Sequence, residues 1–244
     1  ILIAENSNNE KFKKKIEEYG ENIECFLLDE NKGYATANNF ALSKVKTKYA
    51  LILNPDARLT KNTLKNFFKT ALNFNNFWII GPNQKFDNID DVNKVSEVSN
   101  LKGYAMFLNV DKFKGVFFDE NFFLYFEEID LCKQIINKKG KILINNNIIV
   151  KHEGGGSVKL SSSHELEKNR NWHWMWSTFY FHKKHKGFFM AIIIVLPKLI
   201  SSMFKIIFYK LILKKKSEEL YYCRLSGLVN SILGKKSWFR PILN

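Results

Sequence analysis

Three stretches of this chain carry side chains that could do chemistry. The first is Leu53-Asn54-Pro55-Asp56, where the apolar run 49–53 stops at a proline, which cannot donate to a sheet ladder. Asp56 is thereby left at the carboxyl end of what reads as a central strand, and open α/β sheets bind ligands there. A carboxylate on a short polar turn suits a hard divalent cation that shares its oxygen ligands with a phosphate. The same residue also suits a cap on the next helix, a role for which Thr60 competes. The second stretch sets Glu127, Glu128 and Asp130 at the amino end of a helix, just after Phe122, Phe123 and Tyr125. Carboxylates at that end satisfy the helix dipole, so a purely structural cluster is one reading. The other is a general base whose pKa is raised by its aromatic surroundings. The third stretch is His152, followed by Glu153-Gly154-Gly155-Gly156-Ser157. A histidine beside backbone free of side chains is either an ordinary loop residue or one that completes a metal shell or meets a phosphate.

The elements that must position these residues follow from periodicity. Strands are expected at 1–4, 23–28, 49–56, 78–81, 102–108, 141–144 and 148–151. Helices are expected at 10–19, 34–44, 60–73 and 127–137, the first carrying Phe12, Ile16 and Tyr19 at helical spacing. Strand and helix alternate up to residue 81 with short connections, the pattern of a parallel sheet covered on both faces. From 83 to 100 the alternation lapses into an irregular excursion or a short hairpin, and 153–157 reads as a flexible loop. No internal repeat is evident.

With 244 residues and 45% apolar content the chain has room for one large domain plus an appendage. A formal net charge of +14 favours an anionic partner. The lysines are dispersed among Asn and Ile, however, and neither zinc-finger spacing nor an aromatic-basic RNA-binding signature is present. No nucleic-acid partner is expected. Cys25, Cys132 and Cys223 are odd in number and far apart, which fits free thiols rather than a disulfide frame.

Taken in order, six blocks resemble the family 2 glycosyltransferases, in particular a rhamnosyltransferase-like branch. They are Glu5-Asn6-Ser7, the segment from Asn31 through Gly33 to Asn38 and Asn39, Leu53-Asn54-Pro55-Asp56, and Gly103-Tyr104-Ala105-Met106. The segment from Phe118, Asp119 and Glu120 to Leu131 and the His152 block complete the set. The resemblance covers about residues 1–157. It implies an α/β GT-A fold, Rossmann-like, with a mixed, mainly parallel sheet, a nucleotide-diphosphate sugar donor and a divalent ion, Mg or Mn. By that resemblance Glu5, Asn6, Gly33, Asn38, Asn54, Asp56 and Gly103 line the donor site, with Glu5 at the nucleobase and Asp56 on the metal. His152 joins the metal shell and Glu128 is the catalytic base. Asp119, Glu120, Glu127 and Asp130 face the acceptor. The family usually has Asp where this chain has Glu5 and Glu128. It also carries an earlier strand than the one at Ile1, so a GT-A domain over 1–160 lacking its first strand is expected, with more chain upstream. The implied reaction is a single displacement with inversion.

The remainder divides into an aromatic connecting helix, 161–186, and an amphipathic, apolar tail, 187–244. Trp172, Trp174, Trp176 and Phe179 beside Lys183, Lys184 and Lys186 read as a membrane-interface belt or as packing against the catalytic core. Phe188 to Leu196 is wholly apolar, but Pro197 and Lys198 interrupt it short of the ~20 residues a span needs. Lys198, Ser202, Lys205 and Tyr209 recur on one helical face, and Lys214-Lys215-Lys216 would meet anionic headgroups. A peripheral enzyme on the cytoplasmic face of a membrane is expected, with a kinked single span as the variant. Its acceptor would be a lipid-linked or cell-surface glycan. The alternative in function is a catalytically inactive, membrane-associated nucleotide-sugar-binding protein or gene fragment.

Overall fold

The computed structural model describes residues 1–83, 94–115, 117–152 and 163–240. The chain forms two compact units. The first is built from Ile1–Asp119 and the chain from Glu128 to the strand ending at His152, the second from Glu120–Glu127 and the helices that begin at Ser163.

In the first unit β1 (Leu2–Glu5) and β2 (Glu24–Leu27) pair in parallel, joined through α1 (Glu10–Glu17). Helix α1 starts where Asn9 accepts a hydrogen bond from the Phe12 amide at 3.0 Å, satisfying one of the free amino-terminal donors. Helix α2 (Gly33–Ser43) leads to β3 (Tyr49–Leu53), followed by β4 (Ala57–Leu59), α3 (Thr63–Asn73), β5 (Phe77–Pro82), β6 (Val95–Glu97) and β7 (Ala105–Asn109). Helix α4 (Glu127–Asn137), β8 (Lys141–Asn145) and β9 (Val150–His152) complete it.

A five-stranded sheet has the order β3-β7-β5-β8-β6. Its alternating side chains feed two cores. Ile79, Met106, Leu108 and Ile142 point to one face, against Ala35 and Leu42 of α2 and Leu131 and Ile135 of α4. Ile80, Phe107 and Leu143 point to the other, against Phe67 and Ala71 of α3. Burial on both faces is what turns these strands into short continuous apolar runs.

The sheet is mixed, as expected, but parallel pairing does not predominate among the described strands. Strand β7 pairs antiparallel with both β3 and β5, β6 pairs antiparallel with β8, and only β5–β8 is parallel within this sheet. Strands β3 and β5 do run the same way, as a crossover through α3 requires, but β7 inserts between them. That also corrects the central placement of the strand before Asp56: β3 lies at the end of the five-strand order, with Leu53 exposed. Two further expectations change. Thr60 does not cap α3, which starts at Thr63 after Asn62, while Thr60 and Thr63 bond to one another and Thr63 Oγ1 donates to the Ile149 carbonyl. His152 is not in a loop but is the last residue of β9, opposite Ala57 in an antiparallel pair with β4. The 153–157 loop and most of the 83–100 excursion lie outside the described residues.

The second unit holds α5 (Ser163–Lys186), α6 (Phe188–Leu211) and α7 (Lys215–Ile232). Trp172, Trp176 and Phe179 are buried inside it, so packing within this unit accounts for these three, while Trp174 is 42% exposed. Helices α5 and α7 approach so closely at Gly227 that a Cβ there would lie 2.2 Å from the Trp172 carbonyl oxygen. Helix α6 continues through Pro197, where its apolar run ends. All three cysteines are free.

Candidate active site

The turn at Gly103-Tyr104, immediately before β7, is where the separated blocks meet. The Asn54 amide donates to the Tyr104 carbonyl at 2.9 Å, tying the end of β3 to this turn and setting Asp56 two residues further on. Register then does the rest: β4 beside β9 places His152 against Ala57, and His152 Nε2 lies 3.2 Å from Asp56 Oδ1. The imidazole stacks on the Tyr104 ring, 4.6 Å between centroids and 8° from parallel. On the other side of the turn Gly103 abuts α4, so that a Cβ at 103 would sit 3.5 Å from Glu128 Cβ. The Tyr34 hydroxyl, from α2, donates to the Gly103 carbonyl at 2.6 Å. Asp56, His152 and Glu128 thus converge on one turn from three elements far apart in sequence.

The electrostatics of Glu128 differ from those of an ordinary helix-end carboxylate. Burial pushes its pKa up, outweighing the helix-start amides of Glu128 and Ile129 that pull it down. Its Oε2 is buried without a protein hydrogen-bond partner, and so is the Tyr104 hydroxyl, whose pKa burial also raises. Buried polar atoms are normally satisfied, so two orphans beside the same turn mark a place for a ligand. The backbone reaches α4 through Tyr125 and Phe126, both with positive φ, 68° and 72°. Non-glycine residues there cost about 1–3 kcal/mol each, a cost that clusters at functional sites.

Asp56 and His152 side chains are 16% and 26% exposed, open enough for an ion or a diphosphate to reach. Their oxygen and imidazole donors fit Mg or Mn, with the remaining positions left for phosphate oxygens and water. The described residues contain no group of three or more His, Cys, Asp or Glu placed to hold a metal, so this pair would be the protein's share of such a shell. The cap reading of Asp56 is excluded by its partner, which is His152 rather than a helix amide.

The remaining expected site residues divide by what they already hold. Burial by itself raises the Glu5 pKa, but hydrogen bonds from Ser7 and Asn9 outweigh it and hold the carboxyl below its usual range, with both oxygens engaged in its own loop. Asn6 donates to the Gly33 carbonyl at 3.2 Å and accepts from the Lys32 amide at 3.1 Å, clamping the loop after β1 to the start of α2. Gly33 has φ +85°, a conformation that suits glycine. Asn38 turns back to the Tyr34 carbonyl of its own helix. Asp130 is fully buried and accepts from Gln134 at 2.7 Å. Glu127 is buried and belongs with the second unit, as does the exposed Glu120, while Asp119 ends the first stretch of the first unit.

Sequence reasoning gave no role to Asn39, whose side chain accepts from the Phe118 amide and donates to its carbonyl, at 3.0 and 2.9 Å, fixing the backbone before Asp119. The signal was present: Asn39 lies four residues after buried Ala35 and three before buried Leu42, on the inward stripe of α2. Tyr104 and Tyr34 were likewise without a role, and nothing in their spacing points to the turn they serve.

The profile of Glycosyl transferase family 2 matches residues 1–132, more than half of the chain. The chain belongs to that family. The match takes in Asp56, Gly103 and Glu128 and stops before His152. Comparison with curated proteins returns no match. Among solved structures the glycosyltransferase is similar to the mannosyltransferase PcManGT of Pyrobaculum calidifontis, in complex with GDP-Man and Mn2+. The identity is 11% and the TM-score 0.57, over 96% of this chain and 78% of that one. It is also similar to S. aureus TarS, at 11% identity and TM-score 0.52 over 96% and 82%. GalNAc-T7, solved with UDP, GalNAc and Mn2+, matches at 13% identity and TM-score 0.50 over 63% of this chain, which spans only 37% of that one. These likenesses identify the fold as GT-A, and with the family they make the chain a glycosyl-transfer enzyme.

Proposed function

We propose that this glycosyltransferase transfers a sugar, with inversion and with a divalent metal, from a nucleotide-diphosphate donor to a lipid-linked or cell-surface glycan. The observation that carries the reading is the turn at Gly103-Tyr104, with Glu128 packed on one side and the Asp56–His152 pair stacked on the other. A base and a phosphate-facing pair separated by one glycine leave room for a sugar between them.

In this mechanism the Glu128 carboxylate takes the proton of the acceptor hydroxyl. Its raised pKa makes it a better base than an exposed carboxylate, and its unpartnered Oε2 is free to accept that proton. The acceptor oxygen then bonds to the anomeric carbon as the bond from that carbon to the diphosphate oxygen breaks, the electron pair leaving with the diphosphate. Mg or Mn held by Asp56 and His152 would supply positive charge against the leaving diphosphate. Asn6 and Gly33 shape the neighbouring loops for the nucleotide, and Gly103 lets the sugar approach the backbone. The resemblance of the six blocks to a rhamnosyltransferase-like branch makes rhamnose a sugar to test, and the nucleotides held by PcManGT and GalNAc-T7 make guanosine and uridine diphosphates the first to try.

In this reading the enzyme works at the cytoplasmic face of a membrane, peripherally or through a single kinked span. Helix α6 has 24 residues and a mean hydropathy of 2.1 in its most apolar window, with 17% of that window buried. At about 36 Å it is long enough to cross a bilayer, and Phe189, Ile193, Phe204, Ile207 and Leu211 are exposed along it.

The test is turnover of nucleotide sugars with Mn or Mg by the full chain, with the product anomer read by NMR. Inverted product that depends on metal and on Glu128 is expected; retained configuration or metal-independent turnover overturns the mechanism. Flotation with and without 187–244 tests the membrane placement, and equal flotation removes it.

A further inference from the structure

Helix α6 is largely apolar, with one polar stripe in its second half. Lys198, Ser201, Ser202 and Lys205 stand at i, i+3, i+4 and i+7, all on one face. That face turns toward α7, where it meets Tyr221 and Arg224 around a cleft of about 300 Å3. The cleft's lining has three cations and no acid. Lys205 Nζ bonds the Tyr221 hydroxyl at 2.9 Å and lies 4.7 Å from the ring centroid, and the Arg224 guanidinium lies 5.6 Å from the same centroid. Arg224 Nη1 donates to Asn171 Oδ1 at 2.8 Å, but its Nε is buried without a partner. Like charges drawn to one ring repel, and an unsatisfied guanidinium N–H is costly, unless an anion completes the arrangement. Arg224 also lines a second hollow of about 320 Å3 with Arg170, Trp174 and Tyr125, so the positive lining continues toward Arg170.

A tetrahedral phosphate fits these donors. The Arg224 fork and the Lys198 and Lys205 ammonium groups supply charge-assisted hydrogen bonds, and the Ser201 hydroxyl is exposed at the rim. The exposed apolar face of the same helix, with Phe204 and Ile207 beside the stripe, would lie along an acyl or isoprenoid chain. We propose that the cleft between α6 and α7 is a binding site for a phosphate group, carried by a membrane lipid. It is separate from the donor site at Gly103-Tyr104, and the lipid source rests on the reading that α6 meets a membrane.

The full chain and its Lys198→Gln/Lys205→Gln variant decide this. Both lysines are exposed, so the exchange leaves the core intact. The probes are inorganic diphosphate and vesicles of phosphatidylcholine alone, with phosphatidylserine, or with phosphatidic acid at matched surface charge. The wild type is expected to be stabilised by diphosphate and to prefer phosphatidic acid. The variant should lose about thirtyfold of its phosphatidic acid binding, the effect of two lysines, with phosphatidylcholine binding and the stabilisation by UDP unchanged. Diphosphate stabilisation that is lost in the variant, without vesicle binding by either protein, keeps the phosphate site, assigns it a soluble phosphate and removes the membrane reading. A missing UDP effect beside an intact phosphate effect removes the donor reading alone. Equal losses on phosphatidylserine and phosphatidic acid, or no loss on either, overturn the site.

Discussion

Glu128 in the first unit and His173 in the second are both titratable groups shifted by burial, and their surroundings treat them in opposite ways. His173 is fully served: Nδ1 accepts from the Ser237 hydroxyl, Nε2–H donates to the Phe239 carbonyl, both at 2.8 Å, and the ring packs on Phe123. Burial lowers its pKa from 6.5 to about 4, so it stays neutral and structural. Glu128 is half-buried, and its buried Oε2 has no protein partner. A buried group whose bonds are complete holds a fold together; one left incomplete carries a stability cost that a ligand can relieve. The contrast distinguishes the chemical unit from the supporting one more sharply than the number of charged residues does.

The largest blow to that contrast comes from Glu128→Gln, which keeps the shape and removes the base. Turnover should fall by about 10²–10⁴-fold, with UDP-induced stabilisation retained; near-normal turnover would show that the incomplete carboxylate is not chemical. Asp56→Ala is next, with a loss on the order of a hundredfold and weakened Mn dependence, read by metal titration of the rate. Gly227→Ala attacks the other unit, since its Cβ would meet the Trp172 carbonyl oxygen at 2.2 Å. Overpacking of this kind costs about 1–3 kcal/mol, and amide exchange should accelerate in α5 and α7 while β5 and β7 stay protected.

Acid separates the two groups by sign. His173 binds more protons unfolded than folded, so the second unit loses stability as pH falls below about 6.5, until about 4 where the folded histidine also protonates. Glu128, raised above its ordinary 4.5, does the reverse: its folded form favours the proton, and stability is lost as pH rises through its raised pKa. Hydrogen exchange at several pH values reads both, and parallel trends in the two units would dissolve the comparison. Turnover should show an acid limb above the usual carboxylate range, since the base must be ionised. The smallest effect is expected from Gly103→Ala, where the new Cβ would lie 3.3 Å from the Tyr34 hydroxyl. A slight displacement of Glu128 or of the sugar should cost about tenfold in kcat.

Much of this was legible in the residues. Alternating strands and helices were readable because strands such as β5 and β7 are buried on both faces and helices such as α3 on one, which writes period into the chain. The order of the six blocks was enough to name Asp56, Glu128 and His152 together. What was not legible depended on partners distant in sequence. Nothing in 105–109 says that this strand slips between β3 and β5, because an apolar run fits either direction of pairing. The strand character of 150–152 appears only against β4, and the burial of Trp172 and Trp176 only when α7 and the chain through Phe239 close around them.

By itself the sequence determined the local periods, the side chains available for chemistry and the family to which they belong. All of these are written in neighbours a few residues apart or in the order of blocks. Only the tertiary structure decided that Asp56 meets His152, that Glu128 is left with an unsatisfied oxygen, and that Lys205 and Arg224 converge on Tyr221. Those outcomes depend on sheet register and helix packing, where a slip of one residue turns a side chain to the opposite face.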